Sequence, residues 1–126
     1  MQNLNLKVKS DIRNRCYQFA LDVIKLTEFL PNKRVSWIIT DQLIRSATSI
    51  GANLVEAKAS TTRLEYKKFY EIGLKSAHET GYWLSLLFDA KLVSEDKILP
   101  LKNELYELIC MLSTGVIKLK NKVATF

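Results

Sequence analysis

The sequence predicts an all-α protein, an antiparallel up-down-up-down four-helix bundle. Three observations predict it. Apolar residues recur at spacings of three and four along four long segments. Only 4 Gly and 2 Pro occur in 126 residues, too few turn formers for a chain of many short strands. The connectors between segments are short, so consecutive helices must run antiparallel. A chain of this length reads as one domain, residues 1–126, with a core of its own.

The first helix is predicted over 10–30. Ile12, Cys16, Phe19, Val23, Leu26 and Leu30 form a heptad-like stripe, Ser10 or Asp11 can cap the start, and Pro31 stops the end. The second runs over 35–58 on Ile39, Leu43, Ala47, Ile50, Leu54 and Ala57. "ASTTRLE" breaks that period, and Thr62 with Glu65 three residues on forms a capping box that opens the third helix, 62–89. Its stripe is read as Phe69, Ile72, Ser76, Trp83 and Leu86. The fourth, 94–121, carries Ile98, Leu101, Leu105, Leu108, Leu112 and Leu119, with Ser94 as N-cap and Pro100 at the limit of where a helix tolerates proline. All four glycines fall inside helices, where each costs about 1 kcal/mol against alanine. Small residues around them point to close packing among helices 2, 3 and 4.

Composition narrows the function classes. A formal net charge of +6 favours anionic partners such as nucleic acid or lipid. "MQNLNLKVKS" has no apolar h-region, no run is long enough for a membrane span, and Cys16 and Cys110 sit in helical patterns without a CxxC. The expectation is a cytoplasmic protein without membrane association, both thiols free and buried in the core. No phosphate-binding loop, nucleophile elbow or Cys-His arrangement is present. His78 does not follow a glutamate by three, as a di-metal bundle requires. The chain is therefore expected to have no catalytic residues, metal or cofactor, and not to be an enzyme.

The stretch "QLIRSATSIGANLVEAKASTTRLEYKKFYEIGLKSAHETGYWL" resembles the signature of the bacterial 23S rRNA intervening-sequence protein family. The first half is matched by Gln42, Leu43, Arg45, Ser49, Ile50, Asn53 and Glu56. Glu65, Tyr66, Phe69, Ile72, Ser76 and Glu79 match the second half. A proline is common in the family where Gly51 stands, and a glycine where Ala57 stands. The resemblance implies a long four-helix bundle that assembles as a ring-shaped homopentamer. It also implies kinship with accessory proteins of diversity-generating retroelements, which bind a reverse transcriptase and nucleic acid. No established activity is implied for the ribosomal-insert members themselves.

Arg45, Ser49, Asn53 and Glu56 share one face of the second helix. A polar stripe inside a bundle is expensive unless satisfied, so these four are expected to form a structural hydrogen-bond network with Ser76 or Glu79.

Topology also places charge. The start of helix 1, the connector between helices 2 and 3 and the end of helix 4 share one pole. It collects Lys7, Lys9, Arg13, Arg15, Lys58, Arg63, Lys67, Lys68, Lys118, Lys120 and Lys122 against Asp11, Glu56, Glu65 and Glu71. Nearly all the net charge lies there, the footprint of phosphate-backbone binding. Arg13, Arg15, Lys58, Arg63, Lys67, Lys68, Lys118, Lys120 and Lys122 are the candidate nucleic-acid contacts. In "EYKKFYE" the aromatics are read first as core and second as base-stacking groups. "VSWII" and "YWLSLLF" are apolar on more than one face, so Trp37 and Trp83 are expected to anchor a subunit interface. The expected function is a non-enzymatic homo-oligomeric scaffold that binds RNA or DNA backbone through the basic pole. A reverse transcriptase or other protein is a further possible partner. The alternative is a protein-interaction module with no nucleic-acid role.

Overall fold

The structure, a computed structural model, describes residues 11–124, with side chains described through 121. Four helices follow one another: α1 (Ile12–Thr27), α2 (Arg34–Ala59), α3 (Arg63–Asp89) and α4 (Glu95–Ala124). Each packs on two neighbours, α1 on α2 and α4, α3 on α2 and α4, and among the described residues no diagonal pair makes a close backbone approach. The result is a square antiparallel bundle. Among the described residues there is no strand.

Local chemistry sets the helix ends. Asp11 caps α1, its carboxylate accepting from the Arg13 amide at 3.0 Å. α1 ends at Thr27, short of the predicted residue 30. The amides of Glu28, Phe29 and Leu30 donate to carbonyls three residues back, tightening the chain ahead of Pro31, which disfavours a helical Leu30. Thr62 Oγ1 accepts from the Glu65 amide at 3.1 Å, and the Glu65 carboxylate accepts from the Thr61 amide at 3.1 Å. This is the predicted capping box, with its return arm shifted by one residue.

α3 closes in a Schellman motif. Lys91 donates to the Phe88 carbonyl and Leu92 to the Leu87 carbonyl, with Lys91 at φ 60°. α4 begins on the Ser94 carbonyl, which accepts from Lys97 and Ile98, and continues through Pro100 to Ala124.

The predicted stripe of α2 is its buried face: Ile39, Leu43, Ala47, Ile50, Leu54 and Ala57 are all buried. α3 differs from its reading. Its buried positions are Gly73, Ala77, Thr80, Leu84 and Leu87, whereas Ile72 is exposed and Phe69, Ser76, Trp83 and Leu86 are only partly covered. The predicted stripe is one flank of the true one. Small residues lead the true stripe because α2 and α3 approach closely: a Cβ added at Gly73 would meet the Ile50 carbonyl oxygen at 3.5 Å. A search for large apolar residues therefore selects the wrong angle. Cys110 is also corrected. It is exposed, while Cys16 is buried at 1% exposure.

Candidate nucleic-acid interface

The end of α2, the start of α3 and the end of α4 meet at one pole, because short connectors force α2 and α3 antiparallel and α4 returns beside α3. Lys58 lies in the last turn of α2, Arg63 and Lys68 in the first turns of α3, and Lys118 and Lys120 near the end of α4, all exposed. Lys58, Lys68, Lys118 and Lys120 form no ion pair among the described residues. Lys67 is only 17% exposed along its side chain and lies 3.6 Å from Glu71. Arg13 pairs with Asp11 at 3.5 Å at the foot of α1. Lys122 lies outside the described side chains, and Lys7 and Lys9 lie outside the described residues.

Arg15 does not face solvent as a phosphate ligand would. Its Nε and Nη2 donate to both oxygens of Glu104 at 3.0 and 2.6 Å, and Nη2 also donates to Glu107 at 2.8 Å. The side chain is 12% exposed, and the two carboxylates hold its guanidinium pKa above its usual value. Arg15 is an α1–α4 tie. Pole counting by sequence missed this because Glu104 and Glu107 lie far along the chain, and only the antiparallel packing of α4 on α1 brings them to Arg15.

The polar residues of α2 line the α2–α3 seam. Ser49 and Ser76 hydroxyls meet at 2.9 Å, and the Asn53 amide donates to the Ser49 carbonyl and hydroxyl at 2.8 and 3.0 Å. One turn along, buried Thr80 donates to the Ser46 hydroxyl at 3.0 Å. At the outer edge Arg45 donates to Gln42 and Glu79, and Glu79 also accepts from the Trp83 indole at 2.9 Å. Glu56 stands exposed and takes part in none of these bonds. Ser46 and Thr80 were not singled out from the sequence. Their signal was small polar residues at core spacing.

Trp83 is half-buried against the core and edge-on to exposed Tyr82, at 5.0 Å between centroids. Trp37 is 58% exposed. It stands five helical turns from Val55 on the same face of α2. Val55 lines an apolar groove of about 520 Å³ between α1 and α2, together with Tyr17, Leu21 and Ile24. On α4, Leu99, Tyr106 and Ile117 are exposed at a 7 and 11 spacing that keeps them on one face.

Among the described residues no three His, Cys, Asp or Glu side chains converge as metal ligands, and no helix is long and apolar enough to cross a membrane. Comparison with known proteins agrees with this architecture. No curated protein matches the chain. A crystal structure from Bacteroides thetaiotaomicron VPI-5482, described as a protein of unknown function from the S23 ribosomal protein family, is similar at 30% identity. It covers 83% of this chain and 97% of its own, with a TM-score of 0.78. Residues 8–114 match the description "23S rRNA-intervening sequence protein", so the chain belongs to the 23S rRNA-intervening sequence protein family.

Proposed function

We propose that this protein is a non-enzymatic, homo-oligomeric scaffold of the cytoplasm that binds the phosphate backbone of RNA or DNA through the basic end of its bundle. The observation that carries this reading is the set Lys58, Lys68, Lys118 and Lys120. They come from three helices, gather at one end, are exposed, and have no carboxylate partner among the described residues. Four unpaired cations at one end of a rod set up a local field, and releasing counterions from a phosphate chain is the favourable way to neutralise it. No recognition helix or other base-reading motif accompanies them, so the binding is of the backbone.

Self-association is supported by two apolar surfaces. The α1–α2 groove and the Leu99–Tyr106–Ile117 stripe of α4 belong to different edges of the square. A contact between unlike surfaces is heterologous, and a heterologous contact that closes makes a ring. A ring, a pentamer by the resemblance, would repeat the basic end once per subunit and raise avidity. The α1–α2 groove also favours the second reading, a module that holds a protein partner without nucleic acid; a reverse transcriptase is the kind of partner the resemblance implies.

The test is a salt titration of binding to a labelled structured RNA and a duplex DNA. Wild type is compared with a Lys58→Glu, Lys68→Glu, Lys118→Glu, Lys120→Glu variant of unchanged oligomeric state. Wild-type affinity should fall steeply with salt, with a log–log slope of about 0.9 per neutralised phosphate on duplex DNA, and the variant should lose it. Absence of wild-type binding at low salt, or equal binding by both proteins, would leave the protein-interaction reading in its place.

A further inference from the structure

We propose that the basic end also carries a notch for one unpaired base of a single-stranded nucleic acid, stacked on the Tyr66–Tyr70 pair. This rests on the backbone-binding reading and deepens it: beside the backbone contact open to any nucleic acid, a single strand gains one stacked base.

Tyr66 and Tyr70 lie one turn apart on α3, ring centroids 5.3 Å apart and planes inclined by 19°. They border a recess of about 370 Å³ floored by Leu54 and walled by Asp11, Ile12 and Arg13 of α1. That size lies at the small end of ligand clefts, which run from about 300 to 1,000 Å³. A recess on this scale has room for one flat ring.

Three features favour a built platform over incidental packing. First, Tyr70 is clamped from behind. α4 passes it at Gly115, where an added Cβ would stand 2.8 Å from Tyr70 Cε2. Burial there pushes its phenol up to about 12, so the ring stays neutral. Second, Tyr70 is anchored against the apolar core, yet both rings remain only partly covered and border the recess. Third, the wall opposite carries base-edge chemistry. Arg13 Nε and Asp11 Oδ1 are paired at 3.5 Å, and the guanidinium Nη groups and the second carboxylate oxygen would be the donors and acceptor for the polar edge of an inserted base. Lys58, Lys68, Lys118 and Lys120 are exposed at the same end of the bundle, where they would meet phosphates of a strand that runs past the notch. Cationic tracking of the backbone with aromatic faces for the bases is how proteins hold single strands without reading sequence.

The experiment measures binding of the full chain to a labelled single-stranded oligonucleotide, its duplex, and a single strand with abasic positions. Wild type, Tyr66→Leu, Tyr66→Phe and the four-lysine variant are compared. Stacking strength implies at least a fivefold loss of single-strand affinity in Tyr66→Leu, with Tyr66→Phe near wild type and duplex binding within twofold. Wild type should bind the abasic strand at least fivefold more weakly than the intact one, a comparison that holds whatever a variant does to folding. Equal single-strand binding by wild type and folded Tyr66→Leu, or equal wild-type binding to intact and abasic strands, overturns the notch. If the four-lysine variant is still defective in that case, the basic-end reading stands. No wild-type binding to any probe overturns both.

Discussion

Arg15 and Glu104 face each other across the α1–α4 seam in a bidentate pair, guanidinium Nε and Nη2 donating to the two carboxylate oxygens at 3.0 and 2.6 Å. The geometry is the strong form of an ion pair, and Glu107 adds a third bond from the solvent side. Hydrogen bonds to charged groups are worth about 1.5–3 kcal/mol, and the exposed Glu107 end contributes least. Arg15→Met is therefore expected to lower the free energy of unfolding by about 1–2 kcal/mol in urea titrations. It should leave nucleic-acid affinity within twofold, because the guanidinium is already spent on carboxylates. A large loss of affinity in a folded Arg15→Met protein would return Arg15 to the basic surface.

Gly115 and Gly81 look alike in the sequence and are expected to respond oppositely to alanine. At Gly81 an added Cβ meets only Leu105 Cδ2 at 3.5 Å, an ordinary contact. Gly81→Ala should therefore recover up to about 1 kcal/mol of helix propensity. At Gly115 the new methyl meets the clamped Tyr70 ring at 2.8 Å, and overpacking of this kind costs about 1–3 kcal/mol. Gly115→Ala should be neutral to destabilising. Paired thermal melts decide it, and equal shifts in the two variants would mean that Tyr70 moves freely.

Lys91 sits at φ 60°, the αL position of the α3 Schellman motif, where glycine is the usual residue. The left-handed conformation costs an L-residue about 1–2 kcal/mol. Glycine gives part of that back as greater freedom of the unfolded chain. Lys91→Gly is expected to raise stability by roughly 0.5–1 kcal/mol. A decrease would show that the Lys91 side chain contributes contacts that outweigh the backbone strain.

How much of this was legible beforehand differs from helix to helix. α2 was legible because its buried face is made of large apolar residues at regular spacing, and α3 was not, because Gly73, Ala77 and Thr80 lead its buried face. Apolar periodicity reports where large side chains lie, and a helix that must approach its neighbour closely puts small ones there. The basic end was legible as topology plus charge. Its partition into free cations, an internal tie at Arg15 and a shielded Lys67 was not, since Glu104 reaches Arg15 only through tertiary packing. The Tyr66–Tyr70 recess was half legible. The aromatics and the lysines were visible, but their clamp, Gly115, lies 45 residues away.

The two cysteines give the last expectation. Cys16 is buried, and burial pushes its thiol up to about 12 from an ordinary value of 9.0. Cys110 is exposed on α4. In native protein a thiol reagent should therefore modify one cysteine quickly, with the second reacting only after unfolding. The same shift bears on pH. A folded value above the unfolded one means that the folded chain retains a proton that the unfolded chain releases, so the contribution is complete below pH 9 and is lost as pH rises towards 12. Tyr70, raised from 10.0 to about 12 by burial, adds a second loss beginning near pH 10. Stability should thus decline from about pH 9, steepening above pH 10. Cys16→Ala should remove the decline between pH 9 and 10 and make the slope above pH 10 shallower, whereas Tyr70→Phe should keep the decline from pH 9 and remove its steepening above pH 10. A decline unchanged in both variants would place the alkaline sensitivity elsewhere in the bundle.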